Sequence, residues 1–173
     1  MVVFVAEFRI NISNLSEGIH EHFFEAEPSK IGLDGRFRSV VKVEVKLDKS
    51  LRQILLQAKM WAEAEFVCDR CLDNFSWQMD KKYSMIYIQG DRSTIDLKKG
   101  EEIQVLSADM NFIDLDEDVR QYVILTVPPK LLCKEDCPGI CPTCGVNKNN
   151  ESCTCDAQVV DSRWDALKKL SHN

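Results

Sequence analysis

Five cysteines fall within the nineteen residues of CPGICPTCGVNKNNESCTC, residues 137–155, and a sixth stands just upstream at Cys133. Thiolates at this density suit three chemistries: a disulfide knot, a redox centre or a metal clasp. Cys141-Pro-Thr-Cys144-Gly145 has the form of a zinc knuckle, in which two thiolates flank a tight turn and the following glycine lets backbone amides approach the sulfurs. Zinc takes four ligands, so the knuckle needs a second pair, with candidates at Cys133 or Cys137 on one side and Cys153 or Cys155 on the other. Four of these six fill one tetrahedral site. Gly139, Gly145, Asn147, Asn149 and Asn150 supply turn residues where the chain must double back. An iron–sulfur cluster, which also uses four cysteines, is the main metal alternative.

A further pair, Cys68-Asp69-Arg70-Cys71, stands about sixty residues away. Three readings compete for it. It could be half of a second zinc site completed by two cysteines left over from the C-terminal segment, since eight cysteines fit two four-ligand sites. It could be a redox dithiol, although such motifs belong at a helix N-terminus beside a βαβ pattern, and this pair follows a strand. Or Cys68 is a small core residue and Cys71 its neighbour in a turn.

The elements that must position these thiols read as follows. At 173 residues and 45% hydrophobic, the chain can bury a core without cross-links. The start MVVFVAEFRI has only a five-residue apolar run before Glu7 and no basic region, unlike a secretory signal, and no run approaches a membrane span. The expected compartment is a reducing cytoplasm, where clustered cysteines bind metal more often than they pair as disulfides.

Alternation with period two predicts strands at Phe4, Ala6, Phe8, Ile10 and Ile12, at Val41, Val43, Val45 and Leu47, and along Ile54, Leu56, Ala58, Met60, Ala62, Ala64, Phe66 and Cys68. A strand pair is expected over residues 75–79 and 83–88, and a weaker strand over residues 22–27. Trp61 falls on the polar face of the longest strand, as a stacking or partner contact or as an edge tryptophan covered by a loop. The period changes at Asp114, where Leu115, Val119, Tyr122, Val123 and Thr126 recur at helical spacing. Asp114 with Glu117 resembles a capping box, and Val127-Pro128 ends the run. Residues 89–104 read as a surface loop. Asp161 can cap a last helix with Trp164, Leu167 and Leu170 on one side and Lys168 and Lys169 at its end. The expected fold is α+β: a mainly antiparallel sheet with a few short helices over residues 1–127, then a cysteine-rich zinc-binding segment over residues 128–173.

Net charge is −6, carried by residues 1–127, while residues 128–173 are neutral. Neither part is a polycation able to wrap nucleic acid by bulk attraction. His20, His22 and His172 lack ligand spacing, and no phosphate loop, Ser/His/Asp arrangement or hydrolase motif is present, so no catalytic residue is expected.

Four elements in order resemble the YceD-type family of large ribosomal RNA subunit accumulation proteins: FVCDRCLDNF, IDLDEDVRQYVILTVPPKLLC, CKEDCPGICPTCGVNKNNESCTC and the terminal DSRWDALKKL. Cys68, Arg70, Cys71 and Leu72 match the family's short Cys-x-Arg-Cys-Leu element, with Asp69 at its variable position. The resemblance implies a non-enzymatic factor for accumulation, processing or assembly of large-subunit (23S) ribosomal RNA. Some members of that family lack the C-terminal cysteines, which shifts weight onto the sheet. An acidic chain suits a basic ribosomal protein or assembly factor as partner, with any RNA contact local, through Arg36, Arg38, Arg70, Lys168 or Lys169. Neither a membrane nor a small-molecule substrate is expected. The competing readings are a thiol-disulfide oxidoreductase using Cys68 and Cys71, and a zinc-stabilised adaptor unconnected with ribosomes.

Overall fold

The computed structural model describes residues 7–89, 103–107 and 109–155. Phe4 and Ala6 of the first expected strand, most of the expected surface loop, and the last expected helix with Trp164, Lys168, Lys169 and His172 lie outside the described residues. Two compact units emerge. Among the described residues the first comprises residues 7–66, 76–89, 103–107 and 109–129, the second residues 67–75 and 130–155. A short stretch from the middle of the chain thus belongs with the cysteine-rich segment, a grouping that chain order does not reveal.

The first unit is built on a five-stranded sheet in the order β2-β3-β4-β5-β6, from β2 (Gly18–Ala26), β3 (Val41–Lys49), β4 (Gln53–Val67), β5 (Asn74–Gln89) and β6 (Ile103–Leu106). β2 pairs antiparallel with β3, and β3 with β4, whereas β6 runs parallel to β5. A second, two-stranded sheet joins β1 (Arg9–Asn11) to β7 (Phe112–Asp114), antiparallel, with Ile10 opposite Ile113. The fold is mostly antiparallel and mixed β-sheet, with one α-helix, α1 (Asp116–Thr126), and one 3-10 turn (Pro28–Ile31) among the described residues.

Alternation explains the core. Val41, Val43, Val45 and Leu47 of β3 are buried, as are Ile54, Leu56, Ala58 and Met60 of β4, while Lys42, Glu44, Lys46 and Asp48 are exposed. Each fully buried valine, leucine or isoleucine contributes about 1.5–3 kcal/mol relative to exposure. α1 adds Val119 and Val123 to this core, and Tyr122 stacks on Tyr83 of β5 with ring centroids 4.4 Å apart.

Several expectations change in detail. The strand pair expected over residues 75–88 is one continuous strand, β5, because Asp80, Lys81 and Lys82 are exposed strand residues and not a turn. β2 begins at Gly18, four residues earlier than its weak alternation suggests, held by a nine-residue ladder to β3. Trp61 sits on β4, third of five strands, so it is no edge residue; the Lys59 ammonium lies 4.3 Å from its ring centroid. The capping box does not form. Asp114 ends β7 and accepts from the Asp116 amide at 3.2 Å, while Glu117 bonds to Arg120 and Gln121 within the helix. The Asp116 carboxylate instead accepts the amides of Glu7 and Phe8, at 3.0 and 2.7 Å, tying α1 to the start of β1. No helix among the described residues is long and apolar enough to cross a membrane.

Candidate metal centre

The second unit places its thiols in two groups of four: Cys68, Cys71, Cys133 and Cys137, and Cys141, Cys144, Cys153 and Cys155. Within each group the sulfurs all lie within 4.8 Å of one another. Cys68 Sγ is 3.8 Å from Cys137 Sγ, and Cys71 Sγ is 3.6 Å from Cys133 Sγ. These are not disulfides, whose sulfurs sit about 2.05 Å apart. They match the edge of a tetrahedron about a single ion, since a metal about 2.3 Å from each sulfur sets the sulfurs about 3.8 Å apart.

The first group starts from β4. Cys68 follows directly on that strand and is fully excluded from solvent at 0% exposure, with Cys71 at 3%, in a small buried cluster that also holds Cys137. The chain then turns tightly: the Leu72 amide donates to the Cys68 carbonyl at 2.9 Å, and the Cys68 amide to the Asp73 carbonyl at 2.9 Å. Asp69 brings in the other half of the site. Its amide donates to the Leu131 carbonyl at 2.8 Å and its carboxylate accepts the Leu131 amide at 2.7 Å, which sets Cys133 beside the turn. Arg70 closes the far side. Its guanidinium donates to the Cys137 carbonyl at 2.8 Å, and its own carbonyl accepts the Ile140 amide at 2.9 Å. This approach requires Gly139, where a Cβ would stand 2.8 Å from the Arg70 carbonyl oxygen.

The second group repeats the first turn. The Gly145 amide donates to the Cys141 carbonyl and the Cys141 amide to the Val146 carbonyl, both at 2.8 Å. Asn147 then reverses the chain, its carbonyl accepting the amides of Asn150 and Glu151 and its side chain accepting the Asn149 amide, which returns Cys153 and Cys155 to the knuckle. Asn149 joins the two groups, since its side-chain amide donates to Cys137 Sγ at 3.3 Å. Asn147 likewise donates to the Asp73 carboxylate at 2.6 Å.

The electrostatics are those of crowded thiols. Burial alone would raise Cys68, but the amides of Cys133, Cys71 and Arg70 aimed at its sulfur outweigh burial and bring it down to about 6. The amides of Cys144 and Thr143 likewise bring Cys141 to about 6, and the Asn149 amide lowers Cys137. Against the Asp73 amide, burial and three neighbouring sulfurs push Cys71 up to about 12. The Cys144 sulfur and burial raise Cys155 to about 12, while burial raises Cys133 and the Cys141 sulfur raises Cys153. Four thiolates cannot share one pocket unaided. A bound cation resolves the conflict, so the donor set fits a metal ion in both groups.

Of the contact residues expected from the sequence, Arg36 pairs with Asp34 at 2.6 Å and Arg38 with Glu65 at 3.0 Å, both at the surface, whereas the Arg70 guanidinium is committed to the Cys137 carbonyl within the second unit. Sequence reasoning missed Asn149 as a sulfur donor, and Asp69 and Asp73 as clamps; a polar residue beside a cysteine run carries little signal of its partner.

A β-sheet unit together with a second unit that carries two four-cysteine groups, each able to hold a metal ion, is the class defined by this fold and site. The chain belongs to the family described as large ribosomal RNA subunit accumulation protein YceD, whose model matches residues 56–171, a region containing both cysteine groups. Uncharacterized proteins of Mycobacterium bovis and Mycobacterium tuberculosis are each 24% identical to it over 149 residues, which cover 83% of this chain and 69% of theirs. No solved structure matches the chain.

Proposed function

We propose that the protein is a non-enzymatic factor that supports accumulation of large-subunit (23S) ribosomal RNA in the cytoplasm, acts through a basic protein partner, and holds its second unit together with two structural zinc ions. The observation that carries this reading is the division of all eight cysteines into two closed groups within the region that matches the family. Zinc is favoured over an iron–sulfur cluster because a cluster interposes several iron and sulfide atoms between its thiolates, whereas these sulfurs sit at single-ion spacing. When bound, zinc supplies charge neutralisation and a fixed cross-link; the Asn149 amide and the backbone amides at Cys68 and Cys141 carry part of the remaining negative charge.

The same division weakens the oxidoreductase reading. A lowered Cys68 thiol suits a nucleophile, but a nucleophile also needs access. Cys68 and Cys71 are buried and their sulfurs are shared with Cys133 and Cys137. The acidic balance, −6 for the chain, supports a basic partner over direct wrapping of RNA.

The test is the ratio of large- to small-subunit ribosomal RNA in cells of the source organism lacking this chain, with and without complementation. A ratio that falls and is restored by the wild-type chain supports the reading. An unchanged ratio would leave a zinc-stabilised adaptor with no ribosomal role.

A further inference from the structure

β2 forms one edge of the five-stranded sheet, and edge strands normally carry devices against pairing: shortness, lysine, proline or a bulge. β2 has none of these four. It is nine residues long, pairs with β3 in an unbroken register from Gly18 opposite Lys49 to Ala26 opposite Val41, and contains neither lysine nor proline. No strand pairs with its other side among the described residues. The opposite edge, β6, is only four residues long.

The side chains on the outer face of β2 are Ile19, Glu21, Phe23 and Glu25, in strict alternation of apolar and acidic. Ile19 is 60% exposed and Phe23 58%, large values for apolar groups on a regular strand. A shallow cleft of about 490 Å³ beside Phe23 is lined by Glu21, His22, Glu44, Val45 and Lys46. Charge is equally one-sided, since residues 10–29 hold four glutamates and no lysine or arginine. Glu25 is paired with Lys42 at 3.1 Å, whereas Glu21 has no ion-pair partner among the described residues, although Lys46 lies opposite it.

We infer that β2 is a docking edge for an extended segment of a basic protein, which adds to the sheet as a further strand with apolar residues against Ile19 and Phe23 and lysine or arginine against Glu21 and Glu25. Main-chain hydrogen bonds along the open edge supply affinity, and the outer side chains supply selectivity. A second copy of this chain is a poor occupant. Two antiparallel β2 strands in two-fold pairing put Glu21 against another glutamate or against an apolar residue in each register that overlaps Ile19, Glu21, Phe23 and Glu25. This inference rests on the proposed basic partner and specifies where and how it binds.

The experiment uses the full-length, metal-loaded chain and a blocked synthetic peptide, Thr-Lys-Thr-Val-Thr-Lys-Thr-Val-Thr, with binding followed by calorimetry. Three comparison peptides carry alternate N-methylated amides, glutamate in place of lysine, or the same composition scrambled. Saturable one-to-one binding is expected, weakened about ten-fold or more by Phe23→Ser, as for loss of an apolar anchor, and comparably by Glu21→Lys. N-methylation and glutamate replacement should abolish it, while Glu63→Lys, the same charge change on central β4, should leave it intact. Equal binding of the N-methylated or scrambled peptide would overturn strand addition in favour of bulk attraction, as would equal losses from Glu63→Lys and Glu21→Lys. Absence of binding, or self-association of the chain abolished by Phe23→Ser, would also overturn it. The two proposals fail separately: a Phe23→Ser chain that still captures a basic ribosomal protein as the wild type does removes the docking edge and leaves the ribosomal reading, whereas an unchanged ribosomal RNA ratio removes that reading and leaves the peptide result standing.

Discussion

Leu72 and Gly145 occupy the same position in two copies of one turn: each follows the second cysteine of a Cys-x-x-Cys pair, each has positive φ, 65° and 75°, and each donates its amide to the carbonyl of the first cysteine. Glycine adopts this conformation freely, whereas a residue with a side chain pays about 1–2 kcal/mol. Leu72 is the one non-glycine residue with positive φ among the described residues, and its side chain is 62% exposed, so it recovers little by packing. Leu72→Gly is therefore expected to stabilise the metal-loaded protein by up to about 1 kcal/mol after the unfolded-state entropy of glycine is counted. Chemical denaturation with metal content held constant checks it, and a clear loss of stability would mean that Leu72 makes a contact worth more than its strain.

Gly139 and Gly145 separate conformational strain from crowding. Both have φ of 75°, but a Cβ at Gly145 meets nothing within 4 Å, while one at Gly139 stands 2.8 Å from the Arg70 carbonyl oxygen. Gly145→Ala is expected to lose about 1–2 kcal/mol. Gly139→Ala should lose more and selectively loosen metal at Cys68, Cys71, Cys133 and Cys137, because relieving the clash breaks the bond from the Ile140 amide to Arg70. Chelator competition with cobalt(II)-loaded protein reads the comparison, and equal losses would refute it.

Asn149 donates to the Cys137 sulfur from the loop of the other cysteine group. Such outer-sphere bonds typically contribute ten- to a hundred-fold in metal affinity. Asn149→Ala is expected to weaken the first site by about ten-fold, and Asn149→Asp, which sets a carboxylate against the thiolate, by more. Titration against a chromophoric chelator measures both. Unchanged affinity in Asn149→Asp would show that the contact carries no electrostatic weight.

Two zinc ions per chain are expected by elemental analysis, falling to one in either Cys68→Ser/Cys71→Ser or Cys153→Ser/Cys155→Ser. Metal competes with protons for the sulfurs, so affinity falls with acidification. Above about pH 6, Cys68 and Cys141 are already thiolates, and below it each site must displace one additional proton. The slope of log affinity against pH should therefore steepen by about one per site as pH drops through 6. A slope that stays constant from pH 8 to 5 would contradict the lowered thiols.

Much of the sheet was legible because burial follows alternation. β3 and β4 lie where their apolar residues recur, and helical spacing from Leu115 onward locates α1. β5 was harder, since Asp80, Lys81 and Lys82 interrupt the pattern with residues that resemble a turn yet sit exposed along a continuous strand. The parallel placement of β6 has no local signature at all. In the second unit, the Cys141 knuckle carried its glycine in plain view, whereas the Cys68 knuckle hides the same backbone behind a leucine. The assignment of Cys133 and Cys137 to the distant pair depends on Asp69 clasping Leu131 and Arg70 clasping residues 137–140, and no spacing rule encodes those contacts.

The first four-cysteine group also has a history within each round of synthesis. Cys71 and Cys133 are separated by 62 positions, so at translation rates of about 5–20 residues per second the first knuckle leaves the ribosome roughly 3–12 seconds before its partners. During that interval the nascent chain presents a two-thiol half-site, complete as a turn but incomplete as a ligand set. The order of the chain therefore makes closure of the first four-thiol group wait for the synthesis of Cys133 and Cys137.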